Sequence, residues 1–414
     1  MNGWLLAELN LYDSCFIGND TIVKLHYLFV TKLAPHLGTR YVFETGRILV
    51  ARGHRVSIVC AATHRDQPHE AVVEGMHVRA IRTAPSSWRG DNRFKFLATR
   101  IPFYFMAPEV VRTSYRDVDV VIEDVAPFWS PRLPRVCHQL GVPLIYLIHN
   151  VYEDARGWRK AYGVGGVLGA LQERKLRTNP PCDALYSDAR WTVTSLGEIG
   201  VPTAWVPNGV DGRMFSPDMS VKQDDGVLRI INVGRLVPLK NQAMLLRAIA
   251  PLRDRGIQLR IFGFGPELKA LEELRDRLGL GGVVSFHYSA GREQLIRAYR
   301  EADLFVLPSL FEGMPLSVLE ALACELPVAM SDIPAAEGLI EPEFGWRIDA
   351  GDEDSWTELI AQVLDMPPRE LQALGRAGRE HVLRRFTWEN AASRVEDLVE
   401  GLLDGRRPRA WDAQ

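Results

Sequence analysis

Two glutamates, Glu312 and Glu320, lie eight residues apart where an apolar run gives way to a helical pattern. The run that ends at Leu307 predicts a buried strand, and Pro315 suits the first position of a helix whose apolar residues recur at helical spacing. A polar loop between a strand and a helix offers free backbone N–H groups and a positive dipole end. The stretch therefore predicts a site for an anion such as a phosphate. The alternative is an ordinary loop with two solvated glutamates.

Two cations follow another predicted strand, at residues 228–233. Gly234 comes directly after this strand and lets the backbone approach a ligand closely. Arg235 and Lys240 come next, and we expect them at the same edge of the sheet as the loop of Glu312. The planar guanidinium of Arg235 and the compact ammonium group of Lys240 are both suited to bind phosphate oxygens. The pattern predicts a phosphate site, and the alternative is a basic turn on the surface.

Short apolar strands alternate with helical segments along residues 24–206, and the alternation restarts after a polar stretch at 219–226. This pattern is typical of α/β domains whose parallel sheets are covered on both faces. We predict two Rossmann-like domains that face a central cleft, over residues 1–215 and 216–387, with a C-terminal helix at about 388–405 joining the first domain. Ligands of such domains bind beyond the carboxyl ends of the strands, so the cleft is the expected active site.

Composition narrows the classes of function. The chain of 414 residues has a formal net charge of −3, which argues against nucleic acid as a partner. Its five cysteines include no CxxC pair, and no apolar run approaches the ~18–20 residues that span a bilayer. We therefore expect a cytoplasmic protein with reduced thiols. Asp117 and Asp119 resemble a metal-binding pair, but their place ahead of an apolar strand favours a solvated strand entry.

Residues 88–106 interleave basic and aromatic side chains. One interpretation is contact with a membrane surface that carries a lipid-linked acceptor, which would place the protein peripherally at the inner face of the membrane. The other is a partly buried helix that lines the cleft. The sequence leaves both open.

Several motifs of the second half stand in a fixed order. They are Pro207-Asn-Gly-Val-Asp211, Gly234-Arg-Leu with Lys240-Asn241, Phe262-Gly-Phe-Gly-Pro266, and Pro308-Ser309 with Glu312-Gly313 and Glu320-Ala321. In this order they resemble the retaining, nucleotide-sugar-dependent glycosyltransferases of family 4, which have the two-domain GT-B fold. Residues 25–60 resemble the family's opening strand, glycine loop and helix, and His149 matches the position of its active-site histidine.

The resemblance implies catalytic roles for four residues. Arg235 and Lys240 would neutralise the donor diphosphate in place of a metal and so stabilise charge on the leaving group. Glu312 would hold hydroxyls of the transferred sugar, and His149 would lie against the sugar or the phosphate.

Further residues would contact the donor. Glu320 would bind the ribose hydroxyls, and Gly38 would let the loop of the first domain approach the diphosphate. The segment from Phe262 to Pro266, together with Tyr288, would border the nucleobase. The remaining donor-site residues that the resemblance implies are Gly234, Gly263, Gly313, Met314, Pro315 and Leu316.

The resemblance implies a hexosyltransferase that moves a hexose-type sugar from a nucleotide-diphosphate sugar to a hydroxyl acceptor, with retention of configuration and with neither metal nor cofactor. The acceptor would be a glycan, a lipid-linked saccharide or a small metabolite, as in polysaccharide biosynthesis. A nucleotide-sugar hydrolysing epimerase of the same fold and a non-catalytic nucleotide-sugar-binding module are the alternatives.

Three positions depart from the family pattern. The first loop has the single Gly38 where a glycine pair is usual, Glu325 replaces a glycine, and Phe286-His287-Tyr288 replaces a leucine–glycine pair. The last two are candidates for shaping the selection of the base.

Overall fold

The computed structural model contains two sheets, each covered by helices, and it describes residues 24–31, 40–62, 68–82, 93–125, 130–149, 166–218, 220, 225–288 and 291–406. The strands of the first domain are β1 (His26–Thr31), β2 (Arg55–Ala61), β3 (Glu70–Val73), β4 (Met76–Ile81), β5 (Val120–Val125), β6 (Leu144–Ile148), β7 (Ala184–Ser187) and β8 (Thr203–Trp205). Their order in the sheet is β3-β4-β2-β1-β5-β6-β7-β8. Neighbours are parallel except β3 and β4, which form an antiparallel pair at the edge. The strand order reverses between β1 and β5, where ligands of such sheets bind.

Helices cover both faces of the first sheet. They are α1 (Arg40–Ala51), α2 (Arg93–Ser114), α3 (Leu133–Leu140), α4 (Gly166–Thr178) and α5 (Arg190–Leu196). Helix α1 packs on one face, whereas α2, α3, α4 and α5 contribute to the core on the other. In α2, Phe103 and Tyr104 are buried against the sheet, and Phe105 and Met106 are exposed. None of the helices in the described part of the chain is long and apolar enough to cross a membrane.

The second domain has a six-stranded parallel sheet. Its strands are β9 (Leu228–Val233), β10 (Ile257–Phe262), β11 (Val284–His287), β12 (Leu304–Leu307), β13 (Val328–Ser331) and β14 (Gly345–Ile348). They lie in the order β11-β10-β9-β12-β13-β14, and this order reverses between β9 and β12. The helices of this domain are α6 (Gln242–Ile249), α7 (Leu268–Arg277), α8 (Arg292–Glu301), α9 (Leu316–Ala323), α10 (Glu353–Leu364) and α11 (Pro368–Arg385).

The last helix, α12 (Trp388–Leu403), returns to the first domain. Its buried residues Trp388, Val395 and Val399 belong to the same core as α1. The two segments that cross between the domains pack directly on each other. An added Cβ at Gly209 would lie 2.2 Å from the backbone nitrogen of Trp388, so this position has no room for a side chain.

Two details around α9 differ from the sequence predictions. The helix begins at Leu316, and Pro315 has an extended backbone with ψ of 110°, so the prediction of Pro315 as first helical residue was wrong by one position. Glu325 lies between α9 and β13, at the amino end of that strand, and therefore away from the carboxyl edge where ligands bind. Its φ of 60° is left-handed, a conformation that favours glycine. The departure at Glu325 thus concerns a turn, and the idea that it shapes base selection was wrong.

Candidate active site

Lys240 and Glu312 meet at the carboxyl edge of the second sheet. They follow the adjacent parallel strands β9 and β12, and Lys240 Nζ lies 2.5 Å from Glu312 Oε1. The backbone N–H of Leu310 donates to the carbonyl of Leu239 over 2.9 Å, which joins the two loops that carry the pair. Both side chains are largely buried, with exposed fractions of 14% and 10%. The prediction that these two loops share one edge is confirmed.

The conformation of Asn241 explains part of the motif around Lys240. This residue has a left-handed backbone with φ of 54°, which asparagine tolerates better than most residues. Its side-chain amide donates to the carbonyl of Ala350 over 2.9 Å. The turn after Lys240 is therefore fixed both locally and by the neighbouring loop.

Glycines let a second loop pack against the loop of Arg235. An added Cβ at Gly263 would lie 1.8 Å from the carbonyl oxygen of Gly234, and one at Gly265 would lie 2.1 Å from that of Leu236. Because neither contact leaves room for a methyl group, the two backbones touch. The Phe262-Gly-Phe-Gly motif thus shapes the floor of the site, beside the cations.

Arg235 is exposed next to this floor. Its backbone carbonyl accepts a hydrogen bond from Gln242 Nε2 at 3.1 Å. Its guanidinium has no hydrogen-bond or ion-pair partner among the residues that the structure describes. The group is therefore available to an anion at the same edge as Lys240.

The start of α9 provides further donors. Within the described residues, the backbone N–H groups of Gly313 and Met314 form no hydrogen bond. Pro315 has no N–H, and Leu316 contacts the cores of both domains. The loop thus has the free amides that were predicted for an anion site.

Glu320 lies within α9 and is buried. Arg40 Nη1 of the first domain lies 2.5 Å from its Oε1, and the hydroxyl of Tyr299 donates to its Oε2 over 3.0 Å. Burial raises the pKa of Glu320, and the charge of Arg40 partly offsets this effect. The alternative of two solvated glutamates is therefore wrong, because Glu312 and Glu320 are both mostly buried and paired.

His149 follows β6 and faces two carboxylates of the first domain. Its Nε2 lies 3.1 Å from Asp124 Oδ1 and its Nδ1 lies 3.2 Å from Asp188 Oδ2. Thr31 at the end of β1 donates to Asp124 over 2.8 Å. Burial favours the neutral ring, but Asp188 and Asp124 together raise the pKa of His149 to about 10. The imidazole is consequently a cation near neutral pH.

Asn208 connects the histidine cluster to the second domain. Its side-chain amide donates to Asp188 Oδ2 over 3.0 Å and to the carbonyl of Met314 over 3.2 Å. The rings of Trp191 and Phe311 also meet across the domains, with centroids 5.2 Å apart. These contacts place the carboxyl edge of the first sheet opposite the loop of Glu312.

Aromatic side chains border the outer end of the second sheet. Phe262 is buried and stacks on His287 with ring centroids 4.6 Å apart. Phe264 and Tyr288, which follow the neighbouring strands β10 and β11, are each 61% exposed. Two open aromatic surfaces therefore stand at the edge predicted for the nucleobase. Gly38, the predicted contact from the first loop, lies outside the described residues.

Sequence reasoning missed Asp124, Asp188 and Arg40 as members of the site, and it assigned Asn208 to a structural turn. A signal was present for the two aspartates, because each is a charged residue at the carboxyl end of an apolar strand. Arg40 carried no comparable signal, since its partner is 280 residues away.

Family comparisons agree with this arrangement. The model of Glycosyltransferase Family 4 matches residues 38–212, and that of Glycosyl transferases group 1 matches residues 219–381. A D-inositol 3-phosphate glycosyltransferase of Saccharomonospora viridis is 32% identical over 411 residues, which cover 90% of each chain. The chain belongs to glycosyltransferase family 4.

Other relatives of this family-4 chain match in part. A GDP-mannose-dependent alpha-(1-6)-phosphatidylinositol monomannoside mannosyltransferase of Mycolicibacterium smegmatis is 32% identical over 253 residues. That alignment covers 56% of this chain, and the chain spans 65% of the length of that relative.

Solved structures confirm the GT-B fold of the family-4 chain. Sucrose-phosphate synthase from Thermosynechococcus elongatus superposes with a TM-score of 0.75 at 20% identity, over 92% of this chain and 100% of that one. Anabaena HepE, solved in complex with UDP-glucose, gives a TM-score of 0.67 at 15% identity, over 91% of this chain and 100% of its own.

Proposed function

We propose that the protein is a retaining glycosyltransferase that moves a hexose from a nucleotide-diphosphate sugar to a hydroxyl acceptor. The observation that carries this proposal is the contact of Lys240 with Glu312 at 2.5 Å. Beside it lie the N–H groups of Gly313 and Met314, which have no partner in the described part of the chain. A cation, two amides and a carboxylate at one edge suit a ligand that is anionic at one end and rich in hydroxyls at the other.

In this proposal the leaving diphosphate is stabilised by charge. Lys240 exchanges Glu312 for a phosphate oxygen when the donor binds, and Arg235 contributes a second cation from the same loop. Glu312 is then free to accept hydrogen bonds from hydroxyls of the sugar. Fixed donors aimed at developing negative charge are usually the largest single contribution to catalysis. No metal is needed for this role in the proposal.

His149 is a third cationic side chain, and it lies in the opposite domain between two carboxylates. Its two aspartate partners hold the ring in one orientation and keep it protonated. We assign it to a hydroxyl of the transferred sugar or to the phosphate next to it, which replaces one aspartate at a ring nitrogen when the donor binds. The aspartates would act by positioning the imidazole.

Donor and acceptor identities are best approached through the named relatives. One relative is named for GDP-mannose, whereas Anabaena HepE was solved with UDP-glucose, so both bases belong in a donor panel. The names of the two curated relatives both contain an inositol unit. We therefore propose that inositol phosphates and phosphatidylinositol glycans be included among the hydroxyl acceptors tested.

A thermal-shift panel of UDP, GDP, ADP and dTDP, with and without EDTA, tests the donor site. A bound nucleotide stabilises the fold by RT ln(1 + [L]/Kd), so the preferred base gives the largest rise in melting temperature, and EDTA should leave that rise unchanged. If no nucleotide shifts the melting temperature, the proposed donor class is wrong.

A second assay separates transfer from the other two activities. The preferred nucleotide sugar is incubated with and without acceptor, and the products are separated by mass and by anomeric configuration. Transfer predicts an α- or β-linked product of the same configuration as the donor. Release of a free epimerised sugar without acceptor would identify an epimerase. Binding without any product from the whole acceptor panel would favour a non-catalytic module.

A further inference from the structure

Glu320 is held by a residue of the opposite domain. Arg40 Nη1 lies 2.5 Å from Glu320 Oε1, and the hydroxyl of Tyr299 takes Oε2 at 3.0 Å. Both carboxylate oxygens therefore have a donor. Each oxygen could accept a second hydrogen bond, but the side chain of Glu320 is only 8% exposed beside Arg40. A ribose can therefore reach this carboxylate only if one of the two donor side chains moves away.

Arg40 is the more easily displaced of the two. Its side chain is 27% exposed, whereas Tyr299 is fully buried in the core of the second domain. Arg40 is also the first residue of α1, and its Nε lies 4.0 Å from Glu44 Oε1 on the next turn. The guanidinium therefore has a second carboxylate within reach when it leaves Glu320.

The place of Arg40 links the two domains at the donor site. Its guanidinium lies over the ring of Phe215, 5.4 Å from the centroid, where the chain crosses between the domains. Arg40 thus contacts the junction and pairs with a buried carboxylate of the second domain. Without ligand, this pair stabilises the contact between the two domains. Release of Arg40 from Glu320 would weaken this contact between the domains.

We propose that Arg40 competes with the donor ribose for Glu320, and that this competition sets the affinity of the site and its preference for ribose. This inference rests on the proposed donor site. It assigns to Arg40 the role of a residue that determines specificity. A nucleotide that lacks ribose hydroxyls does not engage Glu320 and leaves Arg40 in place, whereas a nucleotide with them binds only by displacing it.

The test compares a nucleoside diphosphate with its 2′,3′-dideoxy form by isothermal titration calorimetry at pH 8, using the base selected in the thermal-shift panel. In Arg40→Met, the affinity for the ribose form should rise about tenfold or more, because the cost of breaking a charged hydrogen bond is removed. The affinity for the dideoxy form should stay within about twofold.

Two controls accompany this comparison. Arg55→Met removes an exposed arginine of the first domain, which pairs with Asp117 and with neither Glu320 nor Glu44, and it should leave both affinities unchanged. Glu320→Gln in the Arg40→Met background should remove most of the gain for the ribose form. Arg40→Lys, which keeps the charge, should fall between wild type and Arg40→Met. Melting temperatures of all variants establish that they fold.

Two outcomes would overturn the inference while leaving the donor site intact. In one, Arg40→Met changes the ribose and dideoxy affinities by the same factor. In the other, it weakens the binding of the ribose form, which would make Arg40 a direct donor contact. If no nucleoside diphosphate binds wild type or any variant, the proposed function itself fails.

Discussion

Replacing Lys240 by Met should affect both stability and turnover, for separate reasons. The substitution leaves the carboxylate of Glu312, only 10% exposed, without its cation. Removing one partner of a buried ion pair costs about 3–5 kcal/mol, and the residual exposure here favours the lower value. For a domain of this size, about 3 kcal/mol corresponds to a fall of roughly 6–12 °C in the melting temperature. Turnover should fall by about 100-fold or more, because the leaving diphosphate loses a fixed charge.

A second substitution separates the two effects. Lys240→Met with Glu312→Gln removes the unpaired charge as well, so the melting temperature should return to within about 3 °C of wild type. Turnover should stay at the low level of Lys240→Met, since neither the cation nor the carboxylate is restored. Differential scanning calorimetry and initial rates with the preferred nucleotide sugar measure the two quantities on the same samples.

An exposed ion pair provides the matched control. Arg247 Nε lies 2.7 Å from Glu353 Oε2, and these side chains are 44% and 41% exposed. Because exposed pairs contribute little, Arg247→Met should lower the melting temperature by less than about 2 °C and leave turnover unchanged. If Lys240→Met behaves like this control, or keeps activity within tenfold of wild type, the roles assigned to Lys240 are wrong.

Three further predictions concern other parts of the site. Gly265→Ala should lower both stability and donor affinity, because its Cβ would lie 2.1 Å from a backbone oxygen. Gly281→Ala, with open space around it, should be neutral in the same melting and titration experiments. His149→Gln should lower the melting temperature most at pH 6.5 and progressively less as the pH rises towards 10. The reason is that the folded pKa of about 10 lies above the usual 6.5, so the stabilising charge of the ring is lost over this pH range. A difference in melting temperature that stays constant with pH would show that the charge has no role. Asn208→Ala should weaken donor binding several-fold by freeing the carbonyl of Met314 and the aspartate beside the histidine, and a titration that matches wild type would contradict this link.

The sheets could be predicted where strands are buried on both faces. A parallel strand such as β12, whose residues are all buried, is a continuous apolar run in the sequence. The strands that were missed lack this signature. Strand β3 lies at the edge and is mostly exposed, and β14 contains the exposed Arg347. The apolar signature of edge strands is weaker, because one side of such a strand faces solvent.

The second-domain side of the candidate site could be predicted because its residues cluster in the sequence. Arg235 with Lys240, and Glu312 with Glu320, each fall within one loop–helix segment. The first-domain side draws on residues that are far apart, since Asp124 and Asp188 lie 25 and 39 residues from His149. Such partners are set by the order of strands in the sheet, which a single sequence does not state.

The return of α12 to the first domain has a consequence for the order in which the protein can fold. Trp388, Val395 and Val399 complete the core that α1 begins, yet the ribosome makes them only after the whole second domain. The face of the first sheet on which α1 packs therefore stays incompletely covered until the last helix has emerged. The second domain has no such requirement and can form its sheet first. During synthesis the second domain can then be complete before the first, and the cleft between them forms last.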